Sequence, residues 1–270
     1  MKIANIMVWL ACVWGLLGCD ALTREEAAVA VEEMALASQA ATLVGGTVEI
    51  STNFTLGQAA DAAAEELAAF YASQLPCAEV TVSGAQISVE YGAVGGTCVY
   101  NGQLWQGRHV VTVSSTDAAG VVVQHTWDNL RNGAMSVSGT AEVTWSQGFT
   151  ERHVVHELQW MRLSDGREGV GSGDRVQQPL NGEWAEGIVI NGEREWEGEA
   201  GEWFLDIDGV EARWVDAVPQ AGTYRLDTPY DKSATLSFER EDEDTILVTL
   251  ESGKKAFTFR VSQTGVVTGG

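Results

Sequence analysis

Hydrophobic and polar positions change their spacing once along the chain, and the change divides it. Leu56, Ala60, Ala63, Leu67, Phe70 and Tyr71 recur every three or four residues, with Asp61, Glu65 and Glu66 opposite. That period predicts an amphipathic helix from Gly57 to Gln74, ended by Pro76, whose stripe packs on a sheet. An earlier alanine-rich helix is announced by Thr23-Arg24-Glu25-Glu26. There the Thr23 side chain can accept from an exposed amide while Glu26 reaches back. Gly45-Gly46, just after Val44, is expected to stop that helix.

From Val80 onward the period is two and the punctuation is glycine-centred. Asp208-Gly209 reads as a two-residue turn that sets Ile207 opposite Val210, Leu205 opposite Ala212 and Trp203 opposite Trp214, giving one apolar face. Ser252-Gly253 reads as a second turn, pairing Glu251 with Lys254, Val248 with Phe257 and Ile246 with Phe259. A third hairpin joins Trp105–Ser115 to Val121–Asn129 through Asp117-Ala118-Ala119-Gly120, with Val111, Val113, Val121, Val123 and Trp127 inward. Asn191-Gly192 is a further turn candidate, placing Trp196 over Gly187. Met135, Val137, Ala141 and Val143 alternate along another strand. Hairpin after hairpin without long helices predicts an antiparallel meander, since parallel strands need crossovers. The expected fold is α+β and mainly β: a helical region over residues 19–76 packed on an antiparallel body over residues 77–270. The body is expected as a curled sheet, a sandwich or a partly open barrel.

The first residues carry an address. Lys2 precedes an uncharged apolar run from Ile3 to Leu17, as in a secretion signal. The run ends in Leu16-Leu17-Gly18-Cys19, which resembles the lipobox of bacterial lipoproteins. The resemblance covers only this leader. It implies that residues 1–18 are a signal peptide and that Cys19 receives a lipid, anchoring the chain in the bacterial cell envelope. Asp20 follows, and in some bacteria an aspartate there retains lipoproteins at the inner membrane. The outer membrane and the periplasmic face of the inner membrane both stay open.

Cys12 falls in that leader and Cys19 would carry lipid, leaving Cys77 and Cys98 for the body. In an oxidising compartment they are expected to form one disulfide, closing a loop of roughly 22 residues and contributing about 3 kcal/mol. The chain has 38 acidic against 16 basic residues, a net charge of −22. Such a surface repels phosphate backbones, so nucleic acid is not an expected partner. The acidic run Glu241-Asp242-Glu243-Asp244 reads as a solvated surface rather than a calcium store.

Catalytic candidates are thin. The histidines are His109, His125, His153 and His156. A three-residue step on a strand sends His153 and His156 to opposite faces, so one metal ion is not expected to hold both. His109 and His125 are expected diagonally on one inner face, with no third ligand. Asp206-Ile207-Asp208-Gly209 opens like a calcium loop but lacks its later ligands. The stretch from Ser164 to Asp174 reads as a mobile glycine-rich loop, without the lysine and helix of a phosphate loop. No serine sits in a Gly-x-Ser-x-Gly elbow, and carboxylate pairs are not legible in one dimension. No cofactor is implied. Eight tryptophans follow the leader, most on faces that also carry aliphatic residues, which favours a core role. Exposed ones can stack on sugars or line an apolar cavity.

Three functions are therefore weighed: a non-enzymatic structural or interaction module of the envelope, which the lack of a catalytic motif favours; a carrier of a lipid or other apolar ligand; and a carboxylate hydrolase. The expected partners are the membrane, through the lipid, and an envelope protein or an apolar ligand.

Overall fold

The Thr23 capping box forms as its sequence dictates: Thr23 N–H donates to Glu26 Oε2 at 2.7 Å, and Glu26 N–H donates to Thr23 Oγ1 at 3.2 Å. The structure is a computed structural model and describes residues 21–52, 60–95, 97–100, 103–116, 120–146, 148–216, 218–263 and 267–268. The leader with Cys12 and Cys19, Leu56 and Gly57, and the expected turn at residues 117–119 lie outside the described residues.

From this cap, helix α1 spans Arg24–Thr52 and passes straight through Gly45-Gly46. Gly46 is a contact rather than a stop, while a Cβ on Gly45 would meet nothing within 4 Å. A Cβ on Gly46 would lie 3.0 Å from Trp105 Cη2, and beside it Trp127 Nε1 donates to the buried Thr47 Oγ1 at 2.9 Å. Close packing here outweighs the roughly 1 kcal/mol that a glycine costs inside a helix. By length and composition α1 is apolar enough to cross a membrane. Its stripe of Ala30, Leu36, Ala40, Leu43, Val44 and Val48 is nevertheless buried in the protein core. Helix α2, Ala60–Gln74, buries Ala63, Leu67 and Tyr71 of the predicted stripe together with Ala64, and leaves Ala60 and Phe70 half-buried.

The described residues then form fifteen strands: β1 (Ala78–Ser83), β2 (Gln86–Tyr91), β3 (Cys98–Tyr100), β4 (Gln103–Thr116), β5 (Gly120–Arg131), β6 (Met135–Trp145), β7 (Arg152–Arg162), β8 (Glu168–Leu180), β9 (Glu183–Gly198), β10 (Gly201–Arg213), β11 (Ala221–Asp227), β12 (Ser233–Arg240), β13 (Thr245–Ser252), β14 (Lys255–Ser262) and β15 (Val267–Thr268). They pair antiparallel in chain order, except that β3 folds onto the start of β4. β1 and β15 are opposite ends of that order and do not pair, so the sheet is open, not a barrel. α2 packs on β1, β2 and β4, and α1 on β5, β6 and β7, all on one face. Cys77 and Cys98 are joined in a disulfide, Cα atoms 5.4 Å apart, tying the start of β1 to β3.

Two dipeptides that read as turns lie inside long strands. β10 runs through Asp208-Gly209, where its register against β9 slips from Ile207 opposite Gly192 to Val210 opposite Ile190. This β-bulge moves the inward side from odd to even positions, so Trp203, Leu205 and Ile207 are followed by Val210 and Ala212. A hairpin turn produces the same parity switch, and the apolar pattern alone does not separate the two. Trp203 faces Trp196 rather than Trp214, and Gly187 faces Arg213 rather than Trp196. Asn191-Gly192 sits within β9. Asn191 Oδ1 accepts the Gly209 N–H at 2.8 Å, satisfying an amide of the bulge. The actual turn between β9 and β10 is Glu199-Ala200, flanked by Gly198 and Gly201.

Elsewhere the register is close to expectation. The hairpin near Ser252 turns at Gly253-Lys254, so Val248 faces Phe259 and Ile246 faces Val261. The partner strand moves by two residues, which leaves each side chain on its expected face. In the β4–β5 hairpin Val113 faces Val123, and Val111, Val113, Val121, Val123 and Trp127 are all buried.

Candidate functional site

The stretch from Ser164 to Asp174 is a turn only at its start, where Arg162 N–H donates to Arg167 O at 2.8 Å. From Glu168 it is strand β8. Gly169, Gly171 and Gly173 take successive inward positions, and large neighbours lie across them. A Cβ at Gly169 would be 2.6 Å from the Trp160 ring, one at Gly171 2.7 Å from Trp196 Cβ, and one at Gly173 2.4 Å from His156 Cε1. Covering a strand glycine with an aromatic ring is thus realised, at β8 rather than at Gly187. The period-two recurrence of these glycines is the signal that marks a strand here.

The inner face continues past the helix. Between the flank of α1 and the inner face of β9–β14 lies a cleft of about 680 Å³. Val31, Met34, Ala35 and Ala37 form the helix side, with Ile190, Trp196, Leu205, Tyr224, Leu236, Phe238, Leu250 and Phe259 on the sheet side. Val31, half exposed, stands at its opening. Leu22 closes in near one end: it packs on Ala234 and Leu250, its N–H donates to Ser252 Oγ at 3.0 Å, and its carbonyl accepts from Lys255 Nζ at 3.0 Å.

The arginines around this face differ in their company. Arg152 pairs with Glu49, donates to Gln177 Oε1 at 2.6 Å and lies over the rings of Trp145 and Trp184, at 5.3 and 4.8 Å from the ring centroids. Arg167 pairs with the buried Glu33, with Glu32 at 2.6 Å and with Glu199 at 3.3 Å. Arg240 pairs with Asp216, whose side chain is wholly buried at the cleft. Arg194 lines the cleft and has no carboxylate partner among the described residues; its Nε is sealed from solvent and unbonded. Arg175, buried behind it, meets His156 Nδ1 at 3.3 Å from Nη2 and no carboxylate among the described residues. Burial pushes both guanidinium groups below their ordinary pKa. Burial, then Arg175 and Arg194, hold His156 neutral with a pKa of about 2.

The remaining sequence candidates separate. His109 and His125 meet diagonally, Nε2 to Nδ1 at 3.0 Å, stacked beside Trp127. His153 lies on the outer face against Asp174 at 2.5 Å, opposite in direction to buried His156. Among the described residues no three His, Cys, Asp or Glu side chains are grouped to hold a metal ion. Glu241 binds Arg260 Nε at 2.7 Å, and Arg240 donates to the Glu243 carbonyl at 2.8 Å, so the acidic run is a braced turn. On the outer face an open groove gathers Glu157, Glu195, Glu197, Glu202 and Asp227. Trp105, Trp127, Trp145, Trp160, Trp196 and Trp203 are buried, and Trp214 is exposed. Neither Arg194 nor Arg175 was singled out by sequence; an arginine at an inward strand position was the available sign.

Compared with known proteins, the chain matches no protein-family model, no curated protein and no solved structure. The disulfide and the apolar N-terminal run together suggest secretion.

Proposed function

We propose that the chain is an envelope lipoprotein, acylated at Cys19, that carries an apolar ligand between α1 and β9–β14. The cleft carries this reading. Its volume lies in the range of roughly 300–1,000 Å³ common to small-ligand sites, and most of its wall is aliphatic or aromatic. That wall favours a carrier over the structural or interaction module that the sequence puts first. No observation favours a hydrolase.

The test is extraction. The mature chain with Cys19→Ser, released from its anchor, is purified and extracted with organic solvent for mass spectrometry. A stoichiometric apolar compound is expected. It should be lost in Ala35→Trp, which fills the cleft from an exposed helix position. Recovery of none, together with no binding of added lipid, overturns the carrier. Separately, labelled palmitate should enter the wild-type chain and not Cys19→Ser; equal labelling overturns the anchor.

A further inference from the structure

We infer that the ligand of this cleft is an anionic amphiphile, an acyl chain ending in a carboxylate, with Arg194 as the headgroup receptor and Arg175 behind it. The inference rests on the carrier reading and adds the chemical class of the ligand.

Its basis is an uncompensated positive charge. A guanidinium does not deprotonate at neutral pH, and withdrawing one from water without a counter-ion, nearly wholly at Arg175 and in part at Arg194, is costly. The chain carries 38 acidic residues and supplies carboxylates to Arg152, Arg167 and Arg240. Among the described residues it supplies none to Arg194 or Arg175. The neutral His156 is an acceptor for Arg175, not a counter-charge.

The surroundings are arranged around these side chains. In register, Arg194 stands between Gly173 of β8 and Leu205 of β10. A Cβ on Gly173 would lie 3.1 Å from Arg194 Cγ as well as against His156, so the missing side chain is what lets the arginine lie flat on the sheet. From there the wall runs over Leu205 and Tyr224 to Leu236 and Phe238, all apolar apart from the Tyr224 hydroxyl. That hydroxyl, a donor in its ordinary state whose pKa burial raises further, is a second donor for the same anion. A carboxylate at Arg194 with its chain along this wall satisfies both halves of the cleft. The guanidinium fork matches a carboxylate in two hydrogen bonds.

The test compares oleate with oleyl alcohol, which share a chain and differ in charge, on the mature full-length chain with Cys19→Ser. Trp196 in the cleft wall supplies the fluorescence readout. Oleate should bind at least tenfold more tightly than the alcohol. Arg194→Met should abolish that preference by weakening oleate at least tenfold more than the alcohol, and Arg194→Lys should restore part of it. Equal binding of the two ligands, or a preference that survives Arg194→Met, overturns the anionic headgroup and leaves the carrier standing. Failure of both ligands to bind overturns the carrier, and this inference with it.

Discussion

His109, His125 and His156 are buried with no carboxylate beside them among the described residues, and this makes the fold acid-sensitive. Burial comes first in lowering each pKa, well below 6.5 for His109, to about 3 for His125 and to about 2 for His156. The unfolded chain therefore takes up protons at these sites before the folded one does. Their contribution is fully present above the unfolded value of about 6.5, shrinks as pH falls below it, and is gone once the folded pKa values are passed. Glu33 acts in the other sense, because burial raises its pKa, and offsets a part. The melting temperature should fall steadily between pH 6.5 and 4; a flat profile would contradict the burial of these rings. Arg194 gives a second prediction at this scale. Removing a half-buried charge that has no carboxylate partner among the described residues should stabilise the ligand-free chain, so Arg194→Met should raise its urea midpoint, while abolishing the preference for oleate. Activity and stability then pull in opposite directions at one side chain.

At the scale of elements, what the sequence revealed was side-chain direction, and what it concealed was connectivity. The capping box follows from a four-residue motif, and the α2 stripe and the inward residues of β4, β5 and β6 from period alone. Asp208-Gly209 and Asn191-Gly192 misled because turns and bulges draw on the same residues for the same backbone reason: Gly209 has φ 57° and Gly192 φ 133°. Only the neighbouring strand decides, through the contact from Asn191 to Gly209. Gly45-Gly46 misled similarly, since a stop and a close helix–sheet approach both call for glycine. Gly171→Ala should cost roughly 1–3 kcal/mol in urea melts, because the new methyl would lie 2.5 Å from the Glu195 carbonyl oxygen; an unchanged midpoint would show that β8 has room. Replacing Cys77 and Cys98 by serine should lower stability by about 3 kcal/mol, read from the same melts against the oxidised chain.

For the whole molecule, the meander was legible because every connection is short, whereas the cleft was not. It exists because α1 lies over β5–β7 while the sheet goes on to β14, and no periodicity encodes where a helix comes to rest. Its lining was visible as alternating apolar residues, which a core explains equally well. The unpaired arginines were hidden too, since the absence of a partner shows only when every neighbour is in place.

The clasp on Leu22 has a geometric consequence. Residue 22 is held by Ser252 and Lys255 beside Leu250, and Leu250 also lines the cleft. Under the proposed acylation of Cys19, the three residues between that anchor and the clasp would span at most about 10 Å. So short a leash would leave the protein little freedom to swivel, and on the carrier proposal it would turn the β12–β14 rim towards the lipid headgroups, where an amphiphile could pass between bilayer and protein with almost no transit through water.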